Sequence, residues 1–335
     1  MIKVLPVRLE WHTTIRAGLD DVWLSCADQH PAGQSVFRRR SGVLACRPMR
    51  YVVGYGPRQR GVDGVNLAAT LARSSGATLD LVAVLPSDAP TFHMYSPDDA
   101  FNAEVEEEGR EWLADGLAHV PDDVHAESHL RRAQSITEGL LDAATDPERG
   151  EADLIVVGTH HRVRTGRFGL GSLADALLHA SSVPVALAPT EYQSHSRVTR
   201  LTCATGMQPG AEDLLSAAIR LAAEWNVPLR LMSLVAIGEA RREDRRQEWT
   251  NLAGQHVATL VERAAAALPA TCPVTSVVGQ GESLQDAVAE LDFADSEVVL
   301  IGSSRLAQPK RLFLGYSASK IMRALDVPMI VWPRA

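Results

Sequence analysis

The sequence predicts an α/β fold laid down twice along one chain, with parallel strands and helices on both faces of each sheet. Three observations predict it. Apolar runs that end in glycine, Leu154-Ile-Val-Val-Gly158 and Val298-Val-Leu-Ile-Gly302, have the pattern of strands buried on both faces. The landmarks that follow them repeat at one spacing. Gly158 to Gly302 is 144 positions (302 − 158), and Gly171 to Gly315, Pro184 to Pro328 and Pro189 to Pro333 share that offset of 144. Helical segments separate successive strands, which calls for crossover connections and hence a parallel sheet.

In copy one the strand 51–54 is followed by a helix over 65–74 and a strand over 79–85. The helix 103–117 has an acidic start, which suits the positive end of its dipole. A strand over 124–130 and a helix over 135–144 come next, with Ser135 and Glu138 at capping-box spacing. The strand 154–158, a helix over 172–180 and a last strand from Val183 complete the copy. Copy two repeats this order. Its upstream part is offset by 150 (206 − 56): Gly56 matches Gly206, Leu71-Ala72 matches Leu221-Ala222, and Leu79 and Leu81 match Leu229 and Leu231. Loops absorb the difference. Asp146-Pro-Glu-Arg-Gly150 has no counterpart in copy two, and 87–97, with Pro90 and Pro97, is shortened there. The clearest helix of copy two places Trp249, Leu252, Val257, Leu260, Val261 and Ala264 at a helical period. A proline second in each final strand, Pro184 and Pro328, has no amide to donate and predicts a sheet edge or a strand start.

The expected organisation is an extension over 1–48, domain one over 49–190, a linker over 191–196 and domain two over 197–335. Residues 1–48 have no partner in the repeat, and Arg38-Arg-Arg40 and scattered Trp and Cys give no periodicity. Met49 falls immediately before the first strand, so the preceding segment reads as a poorly ordered extension or the product of a mis-called start.

A length of 335 residues suits two domains or one large one. With aromatics at 5 %, the cores must rest on Ala, Val, Leu and Ile. A net charge of −8 argues against general nucleic-acid affinity, which needs a basic face. Cys26, Cys46, Cys203 and Cys272 lie in no metal-ligand spacing and read as reduced thiols. No apolar run has the length of a membrane span, and the first residues have no signal-peptide core, so a cytoplasmic location is expected.

Gly158-Thr-His-His161, nine residues and then Gly171-Ser172 resemble the phosphate-loop signature of ATP-binding universal stress proteins: Gly, two residues, Gly, nine residues, Gly, then Ser or Thr. His161 stands at the second glycine. The resemblance extends over 49–190 and 197–334 through the following helix and the Val-Pro-apolar strand. It implies two flavodoxin-like, adenine-nucleotide α-hydrolase-like domains in tandem, each a doubly wound, five-stranded parallel sheet. It also implies that the final strands pair. Here they would do so within one chain, and a homodimer is a further arrangement.

For function, the resemblance implies a stress-response protein that binds a nucleotide, ATP first, and works as a regulatory switch rather than an enzyme. The expected contacts in domain one are Gly56, Val84, Gly158, His161, Gly169, Gly171 and Ser172, with Gly166 adding backbone freedom and Arg162, Arg164 and Arg167 adding charge. Glycines let the backbone approach a ligand, and free amides at a helix start suit phosphate. In domain two, Leu234, Gly302 and Gly315 form a weaker site, because Tyr316 replaces the Ser or Thr and Pro309 stiffens a loop that keeps Lys310 and Arg311. The acid that ATP-binding members carry after the first strand is missing from Gly54-Tyr55-Gly56 and Ala204-Thr205-Gly206. Two other readings follow: a ligand-free scaffold for an unknown protein partner, and a weak hydrolase using His160 and His161, for which neither a base nor a Mg²⁺ site is evident. Asp88, His93, Asp98 and Asp99 read as a solvated loop rather than a metal site, and Arg241-Arg-Glu-Asp-Arg-Arg246 as a solvated helix start rather than a docking patch.

Overall fold

The computed structural model describes residues 36–39, 42–45, 49–87, 99–162, 167–169, 171–206, 211–236, 238, 243–303, 312–313 and 315–334. Residues 1–48 and 49–335 are separate compact units. Within the first, β1 (Val36–Arg39) and β2 (Gly42–Ala45) form an antiparallel hairpin.

In the second unit, copy one runs β3 (Arg50–Gly54), α1 (Gln59–Ser75), β4 (Thr78–Pro86), α2 (Asp99–Ala118), β5 (Ala126–Ala133), α3 (Ile136–Ala144), β6 (Leu154–Gly158), β7 (His160–Arg162), β8 (Arg167–Gly169), α4 (Ser172–Ala180) and β9 (Val185–Ala188). Copy two runs β10 (Arg200–Ala204), α5 (Ala211–Trp225), β11 (Leu229–Ala236), α6 (Glu243–Ala267), β12 (Val274–Gly281), α7 (Leu284–Ala289), β13 (Glu297–Gly302), α8 (Tyr316–Met322) and β14 (Met329–Trp332). The predicted alternation is present. Helix α1 starts six residues before the expected Val65, and it ends at Gly76, whose left-handed φ of 72° lets its amide reach the Ala72 carbonyl. The antiparallel β7–β8 hairpin was not foreseen.

Each copy contributes five parallel strands, and together they form one ten-stranded sheet ordered β12-β11-β10-β13-β14-β9-β6-β3-β4-β5. The two halves join antiparallel through β14 and β9, pairing Met329 with Leu187, Ile330 with Ala186 and Val331 with Val185. The final strands are therefore edges of their own copies but interior to the whole sheet, which removes two exposed ladders. Pro184 and Pro328 sit just ahead of these strands. They need donate nothing, and their carbonyls accept from Ile155 and Val299.

Apolar side chains sandwich the sheet. On one face α1, α2, α5 and α6 pack through Leu67, Leu71, Leu113, Leu215, Leu221 and Val257. On the other, α3, α4, α7 and α8 pack through Leu140, Leu177, Val288 and Ile321. Both clusters run through both copies. Burying one such Leu or Ile contributes about 1.5–3 kcal/mol.

The segment between the copies is tied to α1. Asn66, Thr70 and Ser74, four residues apart and so on one face of the helix, bond the Tyr192 carbonyl (2.8 Å), the His195 amide (2.9 Å) and the Val198 amide (2.9 Å). At the amino-terminal ends of the strands in copy two, the fully buried Glu297 carboxylate accepts from Arg200, Arg230 and Thr202. With the Ala294 amide, 3.2 Å away, four donors converge on one acid and satisfy a charge that would otherwise be costly to bury.

Candidate functional site

Ligands of doubly wound sheets bind outside the carboxyl ends of the strands, where the strand order reverses. In copy two, β10, β11 and β13 end around a cavity of about 570 Å³. Met232, Leu234 and Ile301 give it an apolar side. Gly206, Gly302, Ser303, Gly315 and Ser317 give it backbone and hydroxyl groups, and Asp213, Trp332 and Arg334 complete the lining. The three residues expected of the weaker site, Leu234, Gly302 and Gly315, thus come together.

Local bonds hold this cavity open. The Thr205 hydroxyl donates to the Met232 carbonyl at 3.1 Å, fixing the turn after β10. The Ser303 amide donates to the Trp332 carbonyl at 2.8 Å, and the Ser303 hydroxyl accepts from the Phe313 amide at 2.8 Å. A methyl group on Gly206 would meet no atom within 4 Å, and one on Gly302 would touch only Leu214, at 3.4 Å. Gly315 caps α8. Tyr316 lines the cavity but stays mostly open to solvent. Its ring is 75 % exposed and lies against Lys320, whose Nζ is 4.3 Å from the ring centroid. Ser317 places a hydroxyl one position beyond the expected Ser or Thr.

Copy one is built more tightly at the same place. A methyl on Gly158 would lie 2.2 Å from the Arg60 carbonyl oxygen, so the start of α1 sits directly on the end of β6. Gly64 makes this approach easy, its own methyl position being 3.2 Å from the Gly158 amide nitrogen; the residue 150 positions on is Leu214 (214 − 64). Where copy two has Thr205, copy one has Tyr55, 6 % exposed, whose hydroxyl donates to Asp115 at 2.6 Å. Burial and the Asp115 carboxylate both push the Tyr55 phenol up. The position after the first strand is therefore core in copy one.

Of the other residues expected in domain one, Gly56 faces open space, with no atom within 4 Å of an added methyl. Val84 is half-buried against α3, where a methyl on Gly139 would come within 2.6 Å of it. Gly171 is the N-cap of α4, and Ser172 is its exposed first residue. His161 pairs with Phe168 and Gly169 with His160 across the β7–β8 hairpin. The side chains of 160–169 lie outside the described residues, as do Arg164 and Gly166, so the His pair has no described geometry. Asp88, His93, Asp98, Pro309, Lys310, Arg311, Arg241 and Arg242 also lie outside them, and so do the side chains of Asp99 and 243–246.

The two copies touch at the loop of copy two. The Leu312 amide donates to the Ser181 carbonyl at 2.8 Å, and the Phe313 ring meets the His179 ring edge-on, centroids 5.2 Å apart. Sequence reasoning missed Asp213, Ser317, Trp332 and Arg334. The spacing of copy one against copy two carried a signal for Ser317, one step from Tyr316; the others converge only through the fold. No helix among the described residues is long and apolar enough to cross a membrane.

Comparison with known proteins agrees with the repeat. The model of the universal stress protein family matches residues 49–189 and again 198–333. A universal stress protein of Mycobacterium tuberculosis is 29 % identical over 301 residues, which is 85 % of this chain and 100 % of that protein. One of Mycobacterium bovis is similar to the same extent, 29 % over 301 residues with the same coverage of 85 % and 100 %. Among solved structures, a universal stress protein of Archaeoglobus fulgidus superposes with a TM-score of 0.58 at 15 % identity, over 85 % of this chain and 98 % of that one. At that identity the likeness concerns the fold alone.

Proposed function

Since the chain belongs to the universal stress protein family, with two such domains in tandem, we propose that it is a stress-response protein that binds a nucleotide, ATP first, at its strand ends and acts as a regulatory switch. The observation that carries this reading is the cavity of about 570 Å³ in copy two. Ligand pockets run to about 300–1,000 Å³ and combine an apolar lining with a few convergent polar groups. Leu234 and Met232 suit a base. Gly302 and Gly315 let the backbone come close to phosphate, Ser303 and Ser317 carry hydroxyls, and Arg334 brings positive charge to the same space. This moves the emphasis from domain one, favoured by its loop sequence, to domain two.

A switch needs a contact that reports occupancy. Ser303 lines the cavity and is bonded to Phe313, and Phe313 rests on His179 of copy one. Binding that repositions Ser303 would be felt in α4, the helix that begins at Gly171 and Ser172.

Calorimetric titration of ATP into protein freed of nucleotide, with Gly171→Asp and Gly315→Asp beside it, tests the reading. A carboxylate at either helix start repels phosphate. Heat lost in Gly315→Asp and kept in Gly171→Asp is the expected result. Heat lost only in Gly171→Asp returns the site to domain one. No heat in the wild-type protein overturns nucleotide binding and leaves a ligand-free scaffold, the reading that the missing acid after β3 and β10 supports.

A further inference from the structure

A second polar cluster lies at the other end of the copy-one sheet, on the outermost strand pair. β4 and β5 run in register, Asp80 beside Glu127 and Val82 beside His129. Glu127 and His129 are two apart and so share a face with Asp80. The His129 Nε2 is 3.6 Å from Asp80 Oδ1 and 3.6 Å from Glu127 Oε2, beyond hydrogen-bond range of either. That nitrogen is sealed from solvent and has no hydrogen-bond partner among the described residues, which is costly for a buried polar atom. The Asp80 side chain is 3 % exposed.

These three atoms lie within 4.8 Å of one another. Tetrahedral Zn²⁺ with bonds of about 2.0–2.2 Å holds its ligand atoms roughly 3.3–3.6 Å apart. A cation already stands between the two carboxylates: Arg149 Nη2 is 2.9 Å from Asp80 Oδ1 and 2.7 Å from Glu127 Oε2. Arg149 is 32 % exposed and belongs to the short insertion 146–150 that copy two lacks, so it can withdraw without disturbing the sheet. Arg50, 2.7 Å from the other Asp80 oxygen, stays in place and orients the carboxylate.

We propose that Asp80, Glu127 and His129 form a site for a first-row divalent transition metal, Zn²⁺ by its donor set, taken up in exchange for the Arg149 guanidinium. One imidazole and two carboxylates leave the fourth tetrahedral position to water. The strand registers align Ala126 with Val274, so copy two carries Arg230, Thr275 and Val277 at the equivalent positions and has none of the donors. The site is thus a property of copy one, remote from the crevices and independent of nucleotide.

Titration of zinc sulfate into the full-length, tag-free chain, with metal content measured after dialysis, tests this. The expected result is one Zn²⁺ per chain. Arg149→Met, which removes the competing cation, should tighten binding by about tenfold or more. His129→Ala, shown to be folded by circular dichroism and thermal melting, should lose that zinc. Unchanged zinc content in folded His129→Ala, or binding no tighter in Arg149→Met than in wild type, overturns the proposal. So does the absence of bound zinc from both wild type and Arg149→Met.

Discussion

A methyl group placed on Gly158 would sit 2.2 Å from a backbone oxygen of α1, whereas on the equivalent Gly302 it would sit 3.4 Å from the end of the Leu214 side chain. Backbone cannot swing aside as a side chain can. Gly158→Ala should therefore destabilise the fold by about 1–3 kcal/mol in urea denaturation, and Gly302→Ala should be close to neutral. Equal losses in the two variants would contradict this reading of the two crevices. The two glycines were legible as a repeated pair, but the pattern carried no information on which lined an open cavity and which lay against a helix. That depends on Gly64 against Leu214 and Tyr55 against Thr205, residues outside any phosphate-loop signature.

Among the elements, the insertion Asp146-Pro-Glu-Arg-Gly150 was legible only as extra length, and the structure shows what it holds. Its Arg149 bridges Asp80 and Glu127, its Gly150 carbonyl accepts from Arg50, and its Asp146 pairs with Arg131 of β5. The Arg131 guanidinium and then the Glu148 amide hold the Asp146 carboxyl below its ordinary range. A carboxyl whose folded pKa is depressed contributes stability that is fully present above its unfolded value, about 3.9, and is lost as pH falls through the folded one. Asp146→Asn should flatten the acid limb of the stability–pH curve below about pH 4 and leave its shape near neutrality unchanged. An unaltered acid limb in chemical denaturation at stepped pH would contradict the assignment. Capping was legible in the sequence of copy one, at Ser135 and Glu138. Ser135 does accept from the Glu138 amide at 3.1 Å, although the Glu138 carboxylate reaches back to Gln134 rather than to Ser135. Ser283 and Asp286 complete the reciprocal box in copy two.

For the whole molecule, the tandem α/β plan was written in a constant 144-residue offset between buried strand ends, and the structure carries it into one ten-stranded sheet. The join is apolar and fully buried at Val185 and Val331, so the two copies share cores on both faces rather than hang on a linker. What the offset could not convey is asymmetry. The copies have the same strand order, yet among the described residues copy two holds an open crevice and copy one a histidine–carboxylate cluster. A nucleotide seated in the crevice should quiet the backbone around it and, through Leu312 and Phe313, the end of α4 across the join. Amide hydrogen exchange with and without saturating ATP measures this directly. Slowed exchange is expected at 204–206, 302–303 and 315–319, with a smaller effect at 179–181. Protection confined to the copy-one strand ends, or no protection anywhere at saturation, would contradict it.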